Sequence, residues 1–179
     1  MSQNNTEFQI NKDWSEVFSL EILRYLEAFL YPYKFEKGTL EEDRHQCCDF
    51  KAVGYELIIA SRMRDYKFYQ KFSNDITIST KPSLDGKSEL YKIMEGYGDY
   101  YFYGFATLDN LNILSWKIYD LNIFRSWAFK SAREGTLPSE NTDFHFIPFN
   151  TSLIPKIIVA YGGKNEHNTL RLPAIRGIV

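Results

Sequence analysis

The chain has 179 residues, a formal net charge of −2, and 44% hydrophobic against 25% charged residues. That length sets the expectation of one domain, the apolar fraction excludes general disorder, and the charge balance excludes a globally basic coat while leaving room for a local basic patch. The aromatic share is the outlier: thirteen Tyr, fourteen Phe and three Trp make 17%, so rings must line much of the core and some of the surface.

Residues 1–12 are polar and lack the apolar run of a signal peptide, and no stretch reaches the roughly 18 apolar residues of a membrane span. The expectation is a flexible N-terminus on a cytoplasmic protein with no membrane association. A helix is expected over 14–30, with Asp13 as cap, Glu16 three positions on, and Phe18, Ile22, Tyr25, Leu26 and Phe29 at helical spacing; Pro32 ends it. A charged connection containing Gly38 leads to a strand over 46–53, a turn at Gly54 and a second strand over 55–64. Within it, Leu57 to Ala60 is continuously apolar, as suits a strand covered on both faces. Residues 76–80 alternate Ile with Thr or Ser and read as a third strand closed by Pro82.

A helix over 87–95 presents Leu90, Ile93 and Met94 and stops at Gly96 and Gly98. Strands over 100–105 and 113–119 flank hairpin-loop chemistry at Leu108, Asp109 and Asn110, and a helix over 121–133 is capped by Asp120. After a polar loop over 134–143, an edge strand over 144–149 and a short apolar element over 153–160 precede a loose tail from 162 to 179. The domain plan is thus a core over 13–133 with an extension over 134–179. The two cysteines, Cys47 and Cys48, are adjacent and read as small buried hydrophobes, because neighbours in sequence are poorly placed for a mutual disulfide.

The order helix, three strands, helix, strand from Trp14 to Phe105 resembles the αβββαβ core of the restriction-endonuclease-like PD-(D/E)XK nucleases, an α/β mixed sheet flanked by helices, here with a C-terminal hairpin and helix extension. The resemblance implies an acid on one strand and an acid-x-lysine on the next, holding a divalent ion such as Mg²⁺ against the scissile phosphate. Asp49 stands where the first acid and metal ligand belongs, and Glu56 and Arg62 are the candidate partners on the next strand. Ala60-Ser61-Arg62 departs from the motif by lacking the acid and replacing the lysine. Glu56 is six positions from Arg62, about 20 Å along an extended strand. Ser79-Thr80-Lys81 offers a second register, also without the acid, and Glu16, Glu21 or Glu27 of the first helix would be sources of a further ligand.

Between Arg44 and Lys92, nine basic residues (44, 51, 62, 64, 67, 71, 81, 87, 92) stand against six acids (49, 56, 65, 75, 85, 89). Arg64, Lys67, Lys71 and Lys81, interleaved with Tyr66 and Tyr69, form the candidate nucleic-acid surface: cations neutralise phosphate and rings stack on bases. The same pattern also suits a solvated edge with its rings turned inward. His45 near Asp49 reads as a surface residue close to a turn. The ring-rich segment 96–105, with Trp116, Trp127 and Phe129, suits either a core strand or an exposed patch for a protein partner. Two readings therefore stand: a nuclease-like nucleic-acid-binding protein, or a catalytically inactive interaction module of the phage or mobile-element kind that blocks nucleic-acid-handling machinery.

Overall fold

The structure, a computed structural model, describes residues 14, 16–82, 86–141 and 145–163. Helix α1, Ser19–Phe29, buries Ile22, Leu26 and Phe29, the stripe that helical periodicity demands. Trp14 and Glu16 are helical too, with a turn at 17–18 before α1; the Asp13 cap lies outside the described residues. Strand β1, Phe35–Lys37, follows. The charged connection then holds a second helix, α2, Leu40–Gln46, opened by a reciprocal cap in which Glu42 N–H donates to Thr39 Oγ1 and Thr39 N–H to the Glu42 carboxylate. Cys47 ends it in the left-handed conformation, φ 51°.

Strands β2, Phe50–Ala52, and β3, Ile58–Arg64, form an antiparallel pair. A 3₁₀ turn, Tyr66–Phe68, and the short helix α3, Tyr69–Phe72, lead to β4, Asp75–Ser79. Helix α4, Glu89–Met94, is capped by the Ser88 hydroxyl. Strands β5, Tyr100–Ala106, and β6, Ile113–Asp120, make the expected hairpin. Helix α5, Leu121–Glu134, starts where the Asp120 carboxylate accepts the N–H groups of Asn122 and Ile123, and stops at Gly135, φ 66°. Strand β7, Phe146–Asn150, a 3₁₀ turn, Thr151–Leu153, and β8, Ile158–Gly163, complete the described chain.

The main sheet has six strands in the order β1-β2-β3-β5-β6-β8. Only β3 and β5 run parallel among the described pairs. The fold is the expected α+β mixed sheet flanked by helices, with α2 between β1 and β2 and with α3, β4 and α4 between β3 and β5. The strand membership differs from expectation. The meander is β1-β2-β3, beginning with the unanticipated strand at 35–37, while 75–79 leaves the main sheet and pairs with β7 in a two-stranded ribbon. The expected strand over 46–53 shrinks to 50–52 because α2 takes up its first residue and Cys47 turns the chain. Residues 162–163, read as tail, belong to β8, and the rest of the tail lies outside the described residues. The extension is woven into the core, since β8 lies beside β6 and β7 beside β4.

Both faces of the sheet are buried. Ile59, Met63, Phe102, Trp116 and Ile118 pack under α1, while Ala60, Tyr101, Tyr103, Phe105 and Tyr119 face α5 and the β4-β7 ribbon. This alternation is the two-residue period of a strand read on each side. No helix among the described residues is long and apolar enough to cross a membrane.

Candidate functional site

Asp49 sits just before β2, held by its backbone: Gly38 N–H donates to the Asp49 carbonyl at 2.8 Å and Asp49 N–H to the Ile59 carbonyl at 3.1 Å. Because Phe50 is in register with Ile59, Asp49 comes level with Ala60, and its Oδ2 accepts the Ser61 N–H at 2.6 Å. Burial, and then the negative charge of Asp43, push its pKa up to about 8; Glu89 adds to the rise and the Ser61 N–H opposes it. An acid with this environment titrates near neutrality.

Arg62 is on the β3 face turned toward α4 and the ribbon. Its Nη2 lies 2.6 Å from Glu89 Oε2, with the two side chains 28% and 18% exposed. Burial disfavours the Arg62 charge, but Glu89, then Tyr101, Tyr103 and Asp49, outweigh it, and the guanidinium is held more firmly protonated than usual. The same Glu89 oxygen accepts the Ser79 N–H at 2.8 Å, and Oε1 accepts the hydroxyl of fully buried Tyr101 at 2.8 Å. Three donors from β3, the end of β4 and β5 thus converge on one carboxylate at the start of α4. The Cys47 thiol, pushed up by burial and next by Glu89, lies 4.0 Å from the Glu89 carbonyl. Lys92, only 4% exposed, donates from Nζ to the Arg44 carbonyl and ties α4 to the last turn of α2.

The structure sets Asp49 against the amide of Ser61, the β3 residue before Arg62, and pairs Arg62 with Glu89, a carboxylate reaching it where position 60 has only a methyl group. Glu56 does not join them. It is exposed in the turn between β2 and β3, at the opposite end of β3 from Arg62. Among the first-helix acids, Glu21 accepts the Ile113 N–H and the Tyr25 hydroxyl, Glu27 pairs with Lys34, and Glu16 with Lys37. All three are engaged away from Asp49.

The basic aromatic segment divides. Arg64 Nη1 donates to Thr77 Oγ1 at 2.8 Å and its guanidinium lies 4.3 Å from the Phe68 ring centre, while Thr77 Oγ1 is 2.9 Å from Tyr103 O–H. Arg64 therefore ties β3 to the ribbon. Tyr69 packs edge-on against Phe105, and Tyr66 is half-buried in the 3₁₀ turn. Lys67, Lys71 and Lys81 are exposed, with Lys67 3.6 Å from Asp65. The ring-rich strand β5 is core, with Tyr101, Phe102, Tyr103 and Phe105 buried, as is Trp116; Phe129 on α5 is exposed. Both cysteines are free and buried, and His45 is exposed in the last turn of α2.

The carboxylates nearest Arg62 on the chain's elements are Glu89, which it pairs with, and Asp49, held by the adjoining Ser61 amide. No group of three or more His, Cys, Asp or Glu suited to a metal ion occurs among the described residues. Two hard oxygen donors are what Mg²⁺ commonly takes from a protein, its other positions being filled by water and phosphate. Burial and then Asp43 raise Asp49, with Glu89 a smaller cause, and a bound cation would offset only the charge part of that rise; Glu89 would serve as an Mg²⁺ donor only if released from Arg62. Comparison with family models, with curated proteins and with solved structures finds no match for this chain.

Proposed function

We propose that this protein is a nuclease-like domain that binds nucleic acid through its phosphates at the Asp49, Arg62 and Glu89 cluster. The observation that carries this reading is a part-buried pair of a β3 guanidinium and an α4 carboxylate, Arg62 with Glu89, set next along β3 to the Ser61 amide that holds the Asp49 carboxylate. Phosphodiester chemistry needs groups of this kind: a cation to neutralise the phosphate and carboxylates to hold a metal or orient water. Mg²⁺ held by Asp49 and Glu89 would supply charge neutralisation and an activated water. Arg62 would bind and orient a phosphate oxygen, and the exposed Lys67, Lys71 and Lys81 would carry the flanking strand.

The test is incubation of the purified protein with labelled single- and double-stranded DNA and RNA, in Mg²⁺, Mn²⁺ or chelator, beside Asp49→Ala. Cleavage that needs the metal and disappears in Asp49→Ala establishes the enzyme. Binding without cleavage keeps the nucleic-acid reading and removes the catalytic one.

A second reading, the catalytically inactive protein-interaction module, draws on one specific observation. Leu20 and Val17 near the start of α1 and Leu108 and Leu111 of the β5-β6 loop are 72, 57, 78 and 69% exposed, and Glu21 joins these two regions by accepting the Ile113 N–H. Exposed aliphatic residues gathered this way suit a protein partner. Absence of both nucleic-acid binding and cleavage would favour this reading.

A further inference from the structure

We infer that Arg62 Nη2, the backbone N–H of Ser79 and the Tyr101 hydroxyl form a phosphate-binding subsite that Glu89 occupies as an internal surrogate ligand. The three donors reach the Glu89 carboxylate at 2.6, 2.8 and 2.8 Å, the first two on Oε2 and the third on Oε1. They come from three separate strands, so the main sheet and the ribbon fix the backbone spacing of the residues that carry them. Tyr101 is fully buried, and its hydroxyl is spent on the Glu89 carboxylate. A strand amide, a planar guanidinium and a phenol aimed at two oxygens of one anion recognise a phosphate as well as a carboxylate, because both present adjacent oxygens and the phosphate carries the greater charge.

Glu89 is the natural plug. It is the first residue of α4, after the Ser88 cap, so rotation of its own side chain clears the subsite without unfolding the helix. Its 18% exposure puts the plug at the solvent boundary. Lys81, exposed two residues beyond Ser79, adds positive charge to the approach. Glu89 thereby has two states, closed on Arg62 or turned away, and only in the second does the subsite accept an outside phosphate. A ligand that draws Glu89 away therefore raises phosphate affinity, which is positive coupling between two sites. The source of the phosphate, a nucleic-acid backbone or a free ion, rests on the proposed function; the subsite itself does not.

The experiment is a thermal melt of the full chain in inorganic phosphate against chloride of equal ionic strength, without divalent ions, for the wild type, Glu89→Ala, Glu89→Gln and Glu89→Ala/Arg62→Ala. The wild type should show little phosphate response. Glu89→Ala should gain about 3–6 °C at a tenfold excess of phosphate over its dissociation constant, and the double variant should lose most of that gain. If Glu89→Ala folds only in phosphate, the subsite is equally supported. If it fails to fold in either salt, Glu89→Gln decides, since it keeps the volume, removes the charge and should still show a smaller gain. No phosphate-specific gain in any folded Glu89 variant overturns the proposal. A second arm replaces phosphate with a 5′-phosphorylated oligonucleotide. Response to phosphate alone keeps the subsite and removes the nucleic-acid reading, whereas nucleic-acid binding by the wild type with no phosphate response in the variants removes the subsite alone.

Discussion

Asp49 and Arg62 are each defined by a neighbour that the linear sequence does not put beside them. Asp49 carries a pKa pushed up to about 8, against 3.8 for an ordinary aspartate, by burial and by Asp43. The unfolded chain gives up this proton near pH 4 and the folded protein keeps it until about pH 8, so the site weakens the fold progressively as pH rises across that window. Asp49→Asn removes the titration and keeps an acceptor for the Ser61 N–H. It should therefore leave stability almost unchanged at pH 4 and raise it by about 1–3 kcal/mol at pH 8.5, as read from urea melts at the two pH values. Equal effects at both would show that Asp49 titrates normally. Arg62 makes the complementary case. Replacing it with Met leaves the Glu89 carboxylate with two neutral donors and no cation, a change expected to cost about 2–4 kcal/mol, while the Arg62→Met/Glu89→Met double variant should cost less than the sum of the two single changes. Additive effects in that double-mutant cycle would mean that the pair is not coupled.

At the scale of elements, the approach of Gly38 to the β2 entrance decides whether Asp49 is presented at all. A Cβ on Gly38 would lie 1.9 Å from the Cys48 carbonyl oxygen and 2.9 Å from its Sγ, whereas one on Gly104 would meet the Met63 side chain at 2.6 Å. The first obstacle is backbone and the second is the far end of a flexible thioether. Gly38→Ala should therefore destabilise by about 3 kcal/mol or more and disturb the Asp49 site, and Gly104→Ala by about 1 kcal/mol, measured by denaturant unfolding. Comparable costs would mean that the 38–48 contact yields easily. The legibility of the elements follows the same physics. Helix α5 and the β5-β6 hairpin were readable because Asp120, Gly135 and the loop at 107–112 are local signals that act on the residues beside them. Helix α2 was equally signalled, by Thr39 and Glu42 three positions apart, but its charged residues and lack of a buried face gave no periodicity to support the cap. The partner of β4 was not readable, since the Ile and Thr alternation at 76–80 suits a ribbon as well as a main-sheet strand and pairing with β7 spans some seventy residues. The site divides in the same way. Asp49 and Arg62 emerged from a motif on adjoining strands, while Glu89, Tyr101 and the Ser79 amide come together only through the crossover that carries the chain from β3 to β5.

For the molecule as a whole, a net charge of −2 means that long-range attraction cannot by itself bring a polyanion to the surface, and any nucleic-acid affinity must come from a confined positive region. Two members of the basic aromatic segment are already used inside the fold, Arg64 on Thr77 and Tyr69 on Phe105. The exposed lysines at 67, 71 and 81 remain as the cationic groups of that segment open to a phosphate backbone. Each phosphate neutralised contributes about −0.9 to the slope of log K against log salt on duplex DNA, and about −0.7 on a single strand. A Lys67→Ala/Lys71→Ala/Lys81→Ala variant should thus bind with a slope shallower by about 2–3 than the wild type, measured by fluorescence anisotropy across a salt series. Its unfolding free energy should change by less than about 1 kcal/mol, because exposed lysines contribute little to stability. A shallower slope in a stably folded variant places the strand over the 3₁₀ turn, α3 and the end of β4, beside the Glu89 subsite. An unchanged slope moves the footprint elsewhere on the molecule and leaves these lysines as solvated cations.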